Sequence, residues 1–289
     1  MKNILVLTDF SENSVNAYRY AVQLAGAVKA NLMLAFSSNG AIMTLVSQQQ
    51  YSQMLHSFAK RYSCDSQIQV ECLVSSDHWP EAVSKLISFH NPDLLVAGSG
   101  MLPLLIKDEE RSLENSLAQC PVLWVPGQAN FKSQKHLVFG TDFTDQDIAV
   151  VQQIKELASI FNAQVSAVHF YSQADKTRTS ELKKGGEDLD WALGGIRSKY
   201  FLVENENIVQ GLQGFARGIQ PFPTDLFILA TQDFYLAQQY FGFTSQEQEK
   251  NQAFIPLLNI YQKKKKACSG SCALCQKRNK PAIDKAEVL

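Results

Sequence analysis

The chain offers little to several large classes of protein. No apolar run approaches the roughly 18 residues that a membrane-spanning helix needs, so a spanning protein is excluded. Six cysteines in 289 residues do not make a disulfide scaffold, and the default reading is free thiols in a reducing cytosol. Net charge is close to zero, at −1, which argues against a generally basic nucleic-acid binder. The five histidines (56, 78, 90, 136 and 169) show neither H-x3-H nor HExxH spacing. No G-x-S-x-G, Walker A or Ser/His/Asp signature appears, so the sequence presents no catalytic constellation and the expectation is a protein that is not an enzyme. The opening MKNILVLTDF has one Lys and a short apolar run interrupted by Asp9, and reads as a first β-strand rather than a signal peptide.

What is present is ample core material. Hydrophobic residues make up 45% of the chain, with 17 Phe and 9 Tyr, and at about 150 residues per domain the length predicts two domains. Charge is unevenly spread. Residues 262–289 hold eight cations against two anions, a net of +6, which leaves −7 on residues 1–261.

The chain repeats itself. At an offset of 133 residues Thr8-Asp9-Phe10 falls on Thr141-Asp142-Phe143, Leu24-Ala25 on Leu157-Ala158, and Ala30 on Ala163. Further along, Asp93-Leu94 matches Asp225-Leu226 and Pro121-Val122-Leu123 matches Pro256-Leu257-Leu258. The polar stretch 126–135, with Pro and Gly, reads as a linker.

Each half alternates strands and helices. Strands are expected near 3–8, 31–37, 68–74, 93–98 and 121–125, with helices near 13–28, 41–62, 79–90 and 105–118. In the second half strands are expected near 136–141, 164–171, 200–204, 225–231 and 255–261, with helices near 145–161, 177–198, 206–218 and 234–252. Such alternation predicts parallel strands with crossover helices, and continuous apolar runs such as LLVA and LFILA predict strands covered on both faces. Ser11 and Thr144 are placed to cap the following helices, with Glu12 and Asp145 in the first turns. Helix 145–161 is expected to bury Ile148, Val151, Ile154, Leu157 and Ala158, and Pro80 suits an early helical position.

The opening ILVLTDFSENS, the later PDLLVAGSG and the closing CPVLWVP resemble the universal stress protein domain, in order and in both halves. The resemblance implies an α/β fold of two tandem, doubly wound, five-stranded parallel-sheet domains of the universal stress protein or adenine nucleotide alpha hydrolase-like type. It implies that they face each other as an internal pseudo-dimer through their last strands. The division it implies is 1–126, a linker at 127–135, a more divergent 136–261, and a basic tail at 262–289. ATP-binding members of that family carry Gly-x2-Gly-x9-Gly-[Ser/Thr] after the fourth strand and an Asp at the end of the first.

That motif is degraded here. Asp9, Gly98 and Ser112 match, but Met101 and Arg111 stand where the second and third glycines belong, and Gly100 lies one place early. Residues 107–110, KDEE, add carboxylates where phosphates would lie, and like charge repels a triphosphate. In the second half Asp142 persists, but Ala230-Thr231-Gln232-Asp233 replaces the glycine-rich start and bulky Phe and Tyr side chains are expected in the nucleotide's space. The set Asp9, Gly98, Gly100 and Ser112 is therefore a degenerate nucleotide motif, with ATP a candidate ligand for the first domain only. Asp9 has a second reading, as a cap on the turn that follows it.

The tail carries Cys268, Cys272 and Cys275 in C-x3-C-x2-C spacing, close enough to grip zinc or an iron–sulfur cluster. Neighbouring lysines equally favour reactive thiolates, and a solvated basic tail with inert cysteines is the plain alternative. The run Lys263–Lys266 reads as a solvated end, Ser47–Gln53 as an exposed face, His169 as a satisfied half-buried residue, and Cys64, Cys72 and Cys120 as small buried residues. The expectation is a cytoplasmic, non-enzymatic stress-response binding or regulatory module. The alternatives are a weakly hydrolysing ATP switch in the first domain and a metal or redox sensor in the tail. It would act on an unidentified protein partner, as a monomer with an internal pseudo-dimer or as a homodimer.

Overall fold

The computed structural model describes residues 1–63, 68–106, 120–141, 147–171, 179–204, 210–212, 214, 224–231, 235–242 and 255–262. The first half runs β1 (Asn3–Leu7), α1 (Glu12–Val28), β2 (Asn31–Ser37), α2 (Leu45–Tyr62), β3 (Val70–Ser75), α3 (Trp79–His90) and β4 (Leu94–Gly98). A 3-10 turn (Ser99–Met101), α4 (Leu102–Leu105) and β5 (Val122–Val125) complete it. The second half runs β6 (His136–Gly140), α5 (Ile148–Phe161), β7 (Gln164–Tyr171), α6 (Thr179–Leu193), β8 (Ser198–Glu204), β9 (Leu226–Thr231), α7 (Tyr235–Tyr240) and β10 (Leu257–Tyr261).

All ten strands join one sheet, in the order β3-β2-β1-β4-β5-β10-β9-β6-β7-β8. Every neighbouring pair is parallel except β5 with β10, which pair antiparallel with Leu257 opposite Trp124, Leu258 opposite Leu123 and Asn259 opposite Val122. Alternation along each strand sends side chains to two cores. Ile4, Val6, Leu123 and Leu258 pack with α1, α2, α5 and α6 on one face, while Leu5, Leu7, Trp124 and Leu257 pack with α3, α4 and α7 on the other.

The sequence repeat returns as repeated backbone bonding. Asp93 accepts the Lys2 and Asn3 backbone N–H groups on Oδ2, at 2.6 and 2.9 Å, and Asp225 accepts those of Lys135 and His136, both at 2.9 Å. Burial disfavours the charged form of Asp93, yet its two backbone donors, the nearby N-terminal amine and Lys2 outweigh that and hold its carboxyl below the usual range. Lys29 and Asn162, equivalent in the repeat, both end their helices in the left-handed region at φ 55 and 48°.

Helix ends depart from the sequence reading in instructive ways. Ser11 does cap α1, accepting the Ser14 N–H at 3.3 Å. The described start of α5 is capped instead by Asp147, whose Oδ1 accepts the Ala149 N–H at 2.9 Å, while Asp142, Thr144 and Asp145 lie outside the described residues. Ile148 is a correction: it is 85% exposed, because it opens the helix ahead of the stripe formed by Val151, Ile154, Leu157 and Ala158. Helix 41–62 begins at Leu45, since Asn39 and Gly40 hold positive φ and Thr44 provides the cap. The 3-10 turn and α4 precede the position expected for helix 105–118, of which residues 107–118 lie outside the described region.

Residues 126–135 lie along α1. Asn16 Nδ2 donates to the Pro126 and Ala129 carbonyls at 2.9 and 2.8 Å, and the Phe131 ring packs edge-on to Tyr20 with centroids 5.2 Å apart. Buried Gln134 donates from Nε2 to the Tyr20 hydroxyl at 3.0 Å. Asn13, Asn16 and Tyr20 follow helical spacing, so one stripe of α1 straps this segment down.

Candidate functional site

Parallel sheets bind ligands beyond the carboxyl ends of their strands, where neighbouring connections diverge to opposite faces. In the first half β1 lies between β2 and β4, so that point falls between the end of β1 and the end of β4. Asp9 follows β1 and Gly98 ends β4, so the fold brings two of the four candidate residues to this point; Gly100 follows on the 3-10 turn, and Ser112 lies outside the described residues.

The β1–α1 corner is tightly self-bonded. Asp9 Oδ1 accepts the Ser11 backbone N–H at 3.0 Å and the Ser11 hydroxyl at 2.5 Å, the local turn that its second reading describes. Buried Thr8 shares a hydrogen bond with Ser14 Oγ at 3.0 Å and accepts the Phe10 N–H at 3.1 Å. Phe10 is thereby held at φ 63°, unusual for an aromatic residue, with its ring against Phe36 and Phe58 at 4.8 and 5.5 Å.

Asn13 is the residue that the sequence reading passed over. Its Oδ1 accepts the Gly100 backbone N–H at 2.8 Å. A Cβ on Gly98 would collide with the same Oδ1, and one on Gly127 would lie 3.1 Å from Asn13 Nδ2. Gly98 sits at φ −64°, where any residue is comfortable, so its lack of a side chain serves close approach by Asn13 rather than backbone freedom. The amide of Asn13 thus fills the hollow that three glycines open. A phosphate there would need the Gly100 N–H and the space over Gly98, and both are taken; the loop does not fit a triphosphate as it stands. Met101, where a second motif glycine would stand, is fully buried against the α3 and α4 core.

In the second half, Gly140 ends β6 and a Cβ there would lie 2.7 Å from Leu229 Cδ2. Tyr240 is fully buried, stacks edge-on to Phe227 at 5.7 Å and donates to the Ile255 carbonyl at 3.1 Å. His169 is buried rather than half-buried, its Nδ1 2.9 Å from the Thr141 carbonyl.

Cys120 is buried and its thiol is pushed up to about 12 by burial, while half-buried Cys72 is raised by burial and by Glu71. Cys64, the Lys263–Lys266 run and the tail triad Cys268, Cys272 and Cys275 lie outside the described residues. Among the described residues no group of three His, Cys, Asp or Glu side chains is placed to hold a metal ion, and no helix is long and apolar enough to cross a membrane.

Residues 1–107 match the model of the universal stress protein family. Among solved structures, the chain is similar to a universal stress protein from Archaeoglobus fulgidus, with a TM-score of 0.60 at 12% identity over 90% of this chain and 98% of that one. It is also similar to a putative universal stress protein from Pseudomonas aeruginosa, with a TM-score of 0.54 at 11% identity over 90% and 93% of the two chains. No curated protein matches the sequence. The family match thus falls on residues 1–107, and the likeness to the two solved structures shows a shared, mostly parallel α/β fold.

Proposed function

We propose that this chain is a non-enzymatic, cytoplasmic, stress-type binding or regulatory module, built as two tandem universal-stress-type domains paired as an internal pseudo-dimer across β5 and β10. The repeated Asp93 and Asp225 anchors and the mirrored strand order support the tandem reading. The observation that carries the functional part is Asn13. Its carboxamide takes the Gly100 N–H and the space over Gly98, which a nucleotide phosphate would need. The module would act through protein contacts rather than by nucleotide turnover.

Calorimetric titration of the full chain with Mg2+–ATP tests this reading. Flat heats are expected. Saturable binding at micromolar ATP that disappears in Asp9→Ala would overturn it, in favour of an ATP switch in the first domain. The cysteine spacing of the tail carries a separate reading, a metal or redox sensor through Cys268, Cys272 and Cys275. Elemental analysis of anaerobically purified protein, with and without residues 262–289, tests it: zinc or iron lost with the tail supports the sensor, and metal-free, unreactive protein ends it.

A further inference from the structure

Asn39 and Gly40 form the only Asn-Gly pair in the chain, just beyond β2. Both hold positive φ, at 54 and 85°. Asparagine tolerates that region better than most side chains, and glycine adopts it freely. At Gly40 a second demand applies, because a Cβ there would collide with the His78 ring. The backbone therefore favours this pair, and the pair is chemically labile. A glycine nitrogen is the least hindered nucleophile that can follow an asparagine, and it reaches the side-chain carbonyl carbon by closing a five-membered ring.

The structure ties down both reacting groups. The Gly40 N–H donates to the Ser76 carbonyl at 2.9 Å. Asn39 Oδ1 accepts the Trp79 N–H at 3.3 Å and lies 3.4 Å from His78 Nδ1. Asn39 thus supplies the cap on α3 that His78, its N-cap residue, does not. The Asn39 N–H donates to Oγ of buried Ser37 at 3.0 Å, and the Ser37 hydroxyl donates to the Asp77 carbonyl. The Ser38 N–H donates to the Ser75 carbonyl at 3.0 Å. These bonds lace the loop after β2 to the loop after β3, with Asn39, Gly40 and His78 as the latch. Ring closure requires the Gly40 nitrogen to leave Ser76 and the carboxamide to leave Trp79, so it proceeds only from an opened loop. Asn39 and Gly40 are both exposed, so hydroxide and water reach them there.

We propose that Asn39 is a modification site, converted to aspartate and isoaspartate at a rate that this latch sets. The Gly40 nitrogen loses its proton to solvent base and attacks Asn39 Cγ. The Cγ–Nδ2 bond breaks, and Nδ2 takes up a proton and leaves as ammonia. Water then opens the resulting succinimide. Cleavage of the new bond between the nitrogen and Cγ gives aspartate, and cleavage of the original peptide bond gives isoaspartate. Aspartate keeps an oxygen for the Trp79 N–H and adds negative charge at a helix N-terminus, where it is favourable. Isoaspartate routes the backbone through an extra methylene and displaces Gly40 from its place against His78. This proposal is independent of the nucleotide reading.

Ageing the full chain at mildly alkaline pH, folded and in urea, tests it, with peptide mass spectrometry and isoaspartate detection as the readout. In urea Asn39 should convert ahead of every other asparagine. Folding should slow it by about tenfold or more. His78→Ala, at an exposed position, should speed conversion in the folded chain by about threefold or more and leave Asn13–Ser14 unchanged. Hydrogen exchange reads the latch without a substitution: the Gly40 amide should be protected in the parent protein and less so in His78→Ala. Equal rates folded and unfolded, a folded rate indifferent to His78→Ala, or an unprotected Gly40 amide in the parent protein overturns the gate. Acceleration at Asn13 together with Asn39 in the variant would mean general unfolding and overturns it as well. An Asn39 that stays intact in urea removes the site altogether.

Discussion

Asn13 Oδ1 accepts the backbone N–H of Gly100 at 2.8 Å, tying the start of α1 to the turn that follows β4. The bond closes the end of the first-half sheet at the point where its connections diverge. It converts a glycine-rich turn, the usual means of exposing backbone donors to a ligand, into an internal joint.

Gly98 and Asn13 should therefore be energetically coupled. Gly98→Ala forces a Cβ against Asn13 Oδ1 and is expected to cost about 1–3 kcal/mol. Asn13→Ala removes one hydrogen bond and should cost about 1 kcal/mol. In the double variant the Gly98→Ala penalty should shrink by about 1 kcal/mol or more, because the obstructing oxygen is gone. A denaturant double-mutant cycle measures the coupling, and additive costs would deny the contact.

Asn16→Ala should loosen the segment after β5. It removes both side-chain donors to the Pro126 and Ala129 carbonyls, for an expected loss of about 1–2 kcal/mol. Limited proteolysis should show faster cleavage within 126–135 in the variant than in the parent protein.

The Asp93 anchor predicts an acid-sensitive term. Its folded carboxyl titrates below the ordinary value, so the stabilisation is present above the unfolded value, about 3.9, and is lost as pH falls through the lower folded one. Asp93→Asn should lower stability at neutral pH and flatten its dependence below about pH 4. Chemical denaturation at a series of pH values reads both effects.

Native thiol chemistry should spare Cys120. With the thiol raised to about 12, almost no thiolate exists near neutral pH, and burial blocks access besides. Peptide mapping after brief iodoacetamide treatment should find Cys120 unmodified, and modified only after denaturation.

Much of the fold was legible because its signals are local and periodic. Apolar runs such as Leu94–Gly98 and Leu226–Thr231 mark strands covered on both faces, and the repeated Asp-Leu pairs mark equivalent anchors at Asp93 and Asp225. Helix α3 begins and ends at the expected residues, with Pro80 near its start and Asn91 in the left-handed region after its end. Ile148 was misread because periodicity assigns a stripe without showing how far the partner surface extends. Of the site, the sequence offered only residue spacing. Glycine spacing points to Gly98 and Gly100, but what stands over them is Asn13, some 85 residues away in sequence and unremarkable in SENS. Only the pairing of β1 with β4 makes them neighbours. The strap of Asn16 and Tyr20 on 126–135 is equally tertiary; polarity with Pro and Gly reads as a linker whether it is free or docked.

The closed turn is tested most directly at Gly100 itself. Selective 15N-glycine labelling resolves up to 15 backbone amides, and the Gly100 resonance can be followed as Mg2+–ATP is added to about a millimolar. With the N–H held by Asn13, the Gly98 and Gly100 signals should stay in place throughout. A saturable shift of Gly100 with a micromolar midpoint would show that the turn opens to phosphate, and would contradict the joint described above.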